Sequence, residues 1–198
     1  MKKLMNLQGN ILKVIFSLFF IFFFYKQSTA SELWNIDKNI SSIEFEVPVL
    51  FAKNVIGKFN TFDGFVSLDL SNQNNNKALL NVDIKSLEFN YKKYKDLVLS
   101  EVFFDATRFP LGLIDTNNFK FNYEDNKISL IGELTIKGKS QKLPFDIEII
   151  QLTSELVQVK SDISFSRNKF NIGTGKWKNT TILKDEIKIR ANIFLFKE

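Results

Sequence analysis

Residues alternate in polarity with a period of two along most of the chain from Ser41 onward. Ile43, Phe45, Val47 and Val49 alternate with Ser42, Glu44, Glu46 and Pro48, and Ile187, Ile189, Ala191, Ile193 and Leu195 share one parity opposite Lys188, Arg190 and Asn192. The same pattern runs through 64–70, 78–85, 119–124, 128–136, 143–149 and 157–165, and Val55–Phe59 reads as a further short strand. Such runs are strands with one apolar and one polar face. About eight or nine of them at short spacing make antiparallel neighbours, and their apolar faces must be covered by closing a barrel or by packing two sheets. Pattern alone leaves that choice open. One stretch breaks the period: Tyr91, Tyr94, Leu97 and Val98 share a helical face, which predicts a short helix near 91–99. Turns are expected at Asn74–Asn76, Glu124–Asn126 and Gly138–Ser140, with the Asn72–Asn76 run as a surface loop.

The first thirty residues read differently. Lys2, Lys3 and Lys13 precede an apolar run, Val14–Tyr25, in which only Ser17 is polar; Ser28 and Ala30 then give a small-x-small end. This is the pattern of a cleaved secretory signal peptide, and the run is short of the roughly 20 residues a spanning helix needs. Residues 1–30 are therefore expected to be an export signal, and 31–198 the mature domain. The formal charge of +5 belongs mostly to that signal. Without Lys2, Lys3, Lys13 and Lys26, the chain from Ser31 carries 23 basic and 22 acidic residues, which gives no support to nucleic-acid binding. Exported barrels can also span an outer membrane, with the apolar face toward lipid. Aromatic girdles are missing here: the 16 Phe of 31–198 are spread through strand middles, and Trp and Tyr number five.

The chain has no Cys and no His, which removes thiolate and imidazole catalysis, imidazole metal ligands and a lipidated cysteine. No spaced carboxylate pair stands out as an acid–base couple, and no metal site is expected. Gly57, Gly64, Gly132 and Gly138 read as bulge or turn positions. Gly173-Thr174-Gly175-Lys176 lacks the spacing of a phosphate loop and reads as a hairpin turn.

Four stretches resemble one family. They are Leu33–Asp37 with Ser41–Phe45, followed by Gly57-Lys58-Phe59 and Phe62-Asp63-Gly64; Ser100–Asp105 with Arg108-Phe109-Pro110; Gly132–Gly138; and Arg167–Gly173 with Asp185-Glu186-Ile187. In order and spacing they are similar to the YceI-like proteins, named for polyisoprenoid binding. The resemblance implies an eight-stranded antiparallel lipocalin-like barrel over most of 33–196, resolving the sandwich-or-barrel choice. It implies a non-enzymatic, periplasmic carrier or reservoir holding a long-chain lipid, such as an isoprenoid quinone or polyprenyl phosphate, in an apolar lumen. On this reading Phe45, Val82, Ile84, Phe103, Phe104, Leu134, Ile136, Phe145, Phe165 and Phe170 are the candidates to face the lumen, and Arg167, at a strand end, is a candidate to meet a head group at the barrel mouth, with an ion pair to a surface carboxylate as the alternative. A membrane-protein donor or acceptor and a homodimer are further partners consistent with it. The alternatives are a lipid-modifying enzyme of the same shape and an envelope stress-related interaction module filled with side chains. The chain departs from the family at Tyr94-Lys95-Asp96-Leu97-Val98, where an Arg-Asp-x-His-Leu run is usual, and at Val102, where an Asp is usual.

Overall fold

Eleven strand segments build eight staves. The computed structural model describes residues 31–198; the expected export segment lies outside the described residues. The strands are β1 (Glu32–Ile36), β2 (Ser42–Val47), β3 (Val55–Phe59), β4 (Phe62–Leu68), β5 (Lys77–Asp83), β6 (Leu87–Phe89), β7 (Leu111–Asn117), β8 (Lys127–Ile136), β9 (Lys139–Gln151), β10 (Leu156–Ser166) and β11 (Glu186–Lys197). Every pairing is antiparallel. β1 and β2 pair successively with one edge of β11, Ile36 opposite Leu195 and Ile43 opposite Ala191, so together they form one bent stave. β3/β4 and β5/β6 make two more bent staves, broken at Asn60–Thr61 and at a 3-10 turn over Ile84–Ser86 whose Asp83 cap accepts from Lys85 N. The ring runs β1-β4-β5-β7-β8-β9-β10-β11 and closes through β1–β11, with β2, β3 and β6 continuing it at one end.

Closure settles what the alternation left open. Ile43, Val47, Leu134, Ile136, Phe145, Ile163, Ile187 and Ile193 are buried, while Glu44, Asp146, Lys188 and others of the opposite parity are exposed. The apolar parity points inward, the reverse of a barrel whose lipid face is outside.

Several sequence expectations need correction. Phe119–Tyr123 is not a strand: the strand here is β7, eight residues earlier, and Phe119 and Phe121 are buried in an irregular segment that caps the barrel. Leu111–Asn117 lacks a clear alternating signature because two of its inward positions are Gly112 and Thr116. The Asn run is a surface loop with a 3-10 turn over Gln73–Asn75, but Asn76 is buried: its side chain accepts from Asp69 N at 2.8 Å and donates to Phe119 O at 2.8 Å, tying two loops together. Gly173–Lys176 is not a hairpin turn. It belongs to a strap, residues 167–185, that leaves β10, makes 3-10 turns at Arg167–Phe170 and Gly175–Lys178, and returns to β11.

The helix is present as a 3-10 turn, Lys92–Tyr94, running into α1 (Lys95–Leu99). The β8–β9 turn uses Lys137 and Gly138, both at positive φ (52° and 68°), the pattern of a two-residue hairpin loop that favours Gly. Gly57 and Gly132 are neither turns nor bulges but paired strand positions. A Cβ on Gly57 would stand 2.6 Å from the Phe45 ring, and one on Gly132 would stand 2.7 Å from Thr116 and 2.9 Å from the Phe145 ring. These glycines leave room beside them for the Phe45 and Phe145 rings.

Candidate functional site

Among the described residues, two apolar chambers lie end to end in the interior. The larger, about 320 Å³, occupies the end where β2, β6, β8 and β10 finish. The smaller, about 180 Å³, occupies the opposite end under Trp34, Phe119 and Phe121. Leu80, Ile114, Ile163 and Ala191 line both, so they form a waist between the chambers.

Of the residues expected in the lumen, Phe45, Val82, Ile84, Phe103, Phe104, Leu134, Ile136 and Phe165 line the larger chamber. Phe145 lines the smaller one, against Gly132. Phe170 lines neither. It sits on the 3-10 turn after β10, where strand parity no longer holds, is fully buried, and packs edge-on against Phe165 with ring centroids 5.2 Å apart.

Arg167 does not present a free guanidinium. It lies beside the larger chamber and is 1% exposed. Its Nε donates to Lys184 O, Nη1 to Ile172 O and Nη2 to Leu183 O, each at 2.9 Å, with longer bonds to Asn179 O (3.3 Å) and Gly173 O (3.5 Å). It makes neither the expected head-group geometry nor a surface ion pair. Burial pushes its pKa down from the usual guanidinium value, partly offset by Asp185. The side chain organises the strap by satisfying carbonyls that no strand partner reaches.

Loops supply further lining, of which strand parity reveals only Val49. Val49 and Ala52, Tyr91, Tyr94, Leu97 and Val98, and Trp177, Ile182 and Leu183 all line the larger chamber. The helical spacing of Tyr91, Tyr94, Leu97 and Val98 was the one available signal for them. Trp177 packs on Phe103 with centroids 5.7 Å apart. Ala52, Tyr94 and Ile182 are exposed, so the chamber reaches the surface among these loops.

No carboxylate and no lysine lines either chamber. Among the described residues there is no group of three or more His, Cys, Asp or Glu side chains placed to hold a metal ion. At the smaller chamber, Trp34 Nε1 is buried without a hydrogen-bond partner. Nearby, Glu32 accepts from Tyr123 and pairs with Lys197 at 2.9 Å. Burial would raise Glu32, but the Tyr123 and Lys197 contacts hold it below the usual carboxylate value; burial and the Glu32 bond together push Tyr123 up. The arrangement can bury a long apolar chain.

The profile of the YceI-like domain matches residues 34–195. A UPF0312 protein of Vibrio vulnificus is 30% identical over 110 residues, covering 56% of this chain and 58% of that protein. A UPF0312 protein of Staphylococcus epidermidis is 28% identical over 116 residues, 58% of this chain and 64% of that one. The chain thus spans about three fifths of the curated relatives it matches. Among solved structures, Burkholderia cenocepacia BcnA superposes with a TM-score of 0.71 at 26% identity, covering 80% of this chain and 98% of that one. A polyisoprenoid binding domain from Saccharophagus degradans, implicated in plant cell wall breakdown, superposes at 0.68 with 10% identity, over 83% and 98% of the two chains. The Campylobacter jejuni YceI protein superposes at 0.63 with 22% identity, over 76% and 89%.

Proposed function

Because this chain belongs to the YceI-like family, we propose that it is an exported, periplasmic binding protein that holds a long-chain isoprenoid-type lipid along its barrel axis. The observation that carries the reading is the pair of apolar chambers meeting at one waist. A narrow tunnel of this kind suits a flexible linear tail, and binding is driven by taking that tail out of water at about 0.8 kcal/mol per methylene. The structural neighbour from Saccharophagus degradans, a polyisoprenoid binding domain, favours an isoprenoid over a straight acyl chain. An isoprenoid quinone or a polyprenyl phosphate fits the description. The absence of a carboxylate or lysine from the lining favours carriage or storage over a reaction on the lipid.

The test is native mass spectrometry of the protein purified without detergent, paired with analysis of its organic extract. A bound isoprenoid lipid is the expected result. A homogeneous apo mass with no lipid in the extract overturns the proposal.

A further inference from the structure

The loops around the larger chamber are stitched into one rim. Leu50 N donates to Ile182 O at 2.8 Å, Lys184 N to Pro48 O at 3.0 Å, Tyr91 Oη to Lys53 O at 2.9 Å and Asn90 Nδ2 to Asn54 O at 2.8 Å. Segments 48–55, 90–95 and 171–184 therefore form a continuous surface around the opening. Their charges are all of one sign: Lys53, Lys92, Lys93, Lys95, Lys176, Lys178 and Lys184, with no Asp or Glu. All seven lysines are exposed, and none belongs to an ion pair among the described residues. The carboxylates bordering these segments are Asp96, Asp185, which accepts from Asn168 N at 3.1 Å, and Glu46, which accepts from the Asn54 side chain. The loops at the opposite end, 69–76, 118–126 and 152–155, carry Asp69, Glu124, Asp125 and Glu155 against Lys120 alone. A domain that is nearly neutral overall is thus electrically polarised along its axis.

The same rim segments carry Phe51, 98% exposed, and Ile182, 63% exposed, joined through the Leu50 N–Ile182 O bond. Phe51 holds a φ of 59°, a left-handed conformation that is strained for a bulky aromatic residue. Folding alone gains nothing from a phenyl ring in water on a strained backbone. An apolar tip inside a ring of lysines is instead the composition of a surface that seats on an anionic bilayer, with the ring entering the acyl boundary and the ammonium groups at the phosphates.

We propose that the protein docks its larger chamber, mouth first, onto an anionic lipid bilayer through Phe51 and the lysine rim. This rests on the lipid-binding reading above and supplies its missing step, since a tail then passes from acyl region to lumen without crossing water.

The experiment is a sedimentation assay of the protein purified as exported from its native compartment, with phosphatidylcholine vesicles with or without phosphatidylglycerol. Phe51→Gly and the double variant Lys92→Gln/Lys178→Gln, purified the same way, are run beside it. The expected results are selective binding to the phosphatidylglycerol vesicles, weakened by salt; a loss of about 25-fold for the double variant, from roughly fivefold per lysine; and a loss of about tenfold for Phe51→Gly. Phe51→Gly relieves the left-handed strain, so its melting temperature is expected to be unchanged or higher, which separates lost docking from lost folding. Equal binding to both vesicle types, or variants that bind like the parent, overturns the proposal. A change of oligomeric state in Phe51→Gly with unaltered vesicle binding also overturns it, by assigning the rim to a second copy of the chain. Lipid in the organic extract is measured on the same samples: a loaded protein that ignores vesicles fails the docking proposal alone, and an empty protein that docks fails the lipid-holding reading alone.

Discussion

Replacing Arg167 with Met decides between the two roles a buried guanidinium beside the chamber can have. Three strap carbonyls, of Lys184, Ile172 and Leu183, each accept from Arg167 at 2.9 Å, and two more lie at 3.3 and 3.5 Å. An acceptor left unpaired in a buried setting costs about 1–3 kcal/mol. Some of these carbonyls belong to a surface strap and regain water, so the three short bonds together suggest a loss of about 3–5 kcal/mol. For a domain of this size that is a drop of about 6–20 °C in melting temperature. Arg167→Lys restores only part of it, because one ammonium cannot reproduce the planar fork that reaches carbonyls on three sides. Differential scanning calorimetry of parent, Arg167→Met and Arg167→Lys, with lipid content measured in parallel, is the assay. If Arg167→Met melts within about 2 °C of the parent while its lipid content falls, the guanidinium serves the ligand rather than the strap, and the reasoning is refuted.

Other consequences are more local. Ala191→Trp, at the waist, is expected to close the smaller chamber; affinity for a series of isoprenoid chains, measured by fluorescence competition, should rise with length in the parent and level off early in the variant. Gly132→Ala is expected to destabilise by about 1–3 kcal/mol through overpacking, since its Cβ would meet Thr116 and the Phe145 ring at 2.7 and 2.9 Å, whereas Gly112→Ala, whose closest contact would be 3.5 Å, is expected to be near neutral in chemical denaturation. Asp69 accepts from Ser71, Asn75 and the backbone of Asn72, which hold its pKa at about 2. A carboxyl depressed on folding contributes stability at pH values above the unfolded pKa of about 3.9 and loses it as pH falls toward about 2. Asp69→Asn should therefore flatten the acid limb of a pH-stability curve within that window.

The staves were legible in the sequence because a one-faced strand must alternate, and eight of the ten residues expected in the lumen do line the larger chamber. What escaped lies where alternation stops having meaning. Phe170 sits in the 3-10 turn beyond β10, out of step with the odd-numbered inward residues Val157 to Phe165, so it packs behind Phe165 rather than beside the chamber. Phe119 and Phe121 alternate like a strand, yet they cap the barrel from an irregular segment held by Gln73 and Asn76. Arg167 has no local pattern that could reveal its role. Its acceptors come from residues 5 to 17 positions further along the chain, brought together only by the fold of the strap.

Parity says which side chains point inward, but not whether they meet. The space between them follows from size, and size is also written in the chain. Ala191 sits between Ile43 on β2 and Ser161 on β10, and Gly112 sits opposite Val82. Ala191 and Ser161 border the smaller chamber, while Ala191 and Gly112 border the larger. Native interiors pack to the density of organic crystals, so small inward residues beside Ile, Val and Leu would ordinarily be filled by longer neighbours. Here they are not, although 16 Phe are available in the same 168 residues. A missing methylene in a core costs about 0.8 kcal/mol or more. A chamber of about 320 Å³ is therefore an expensive feature for a barrel that is merely filled with its own side chains. That cost argues against the stress-module alternative, and falls away if a lipid tail supplies the missing contacts.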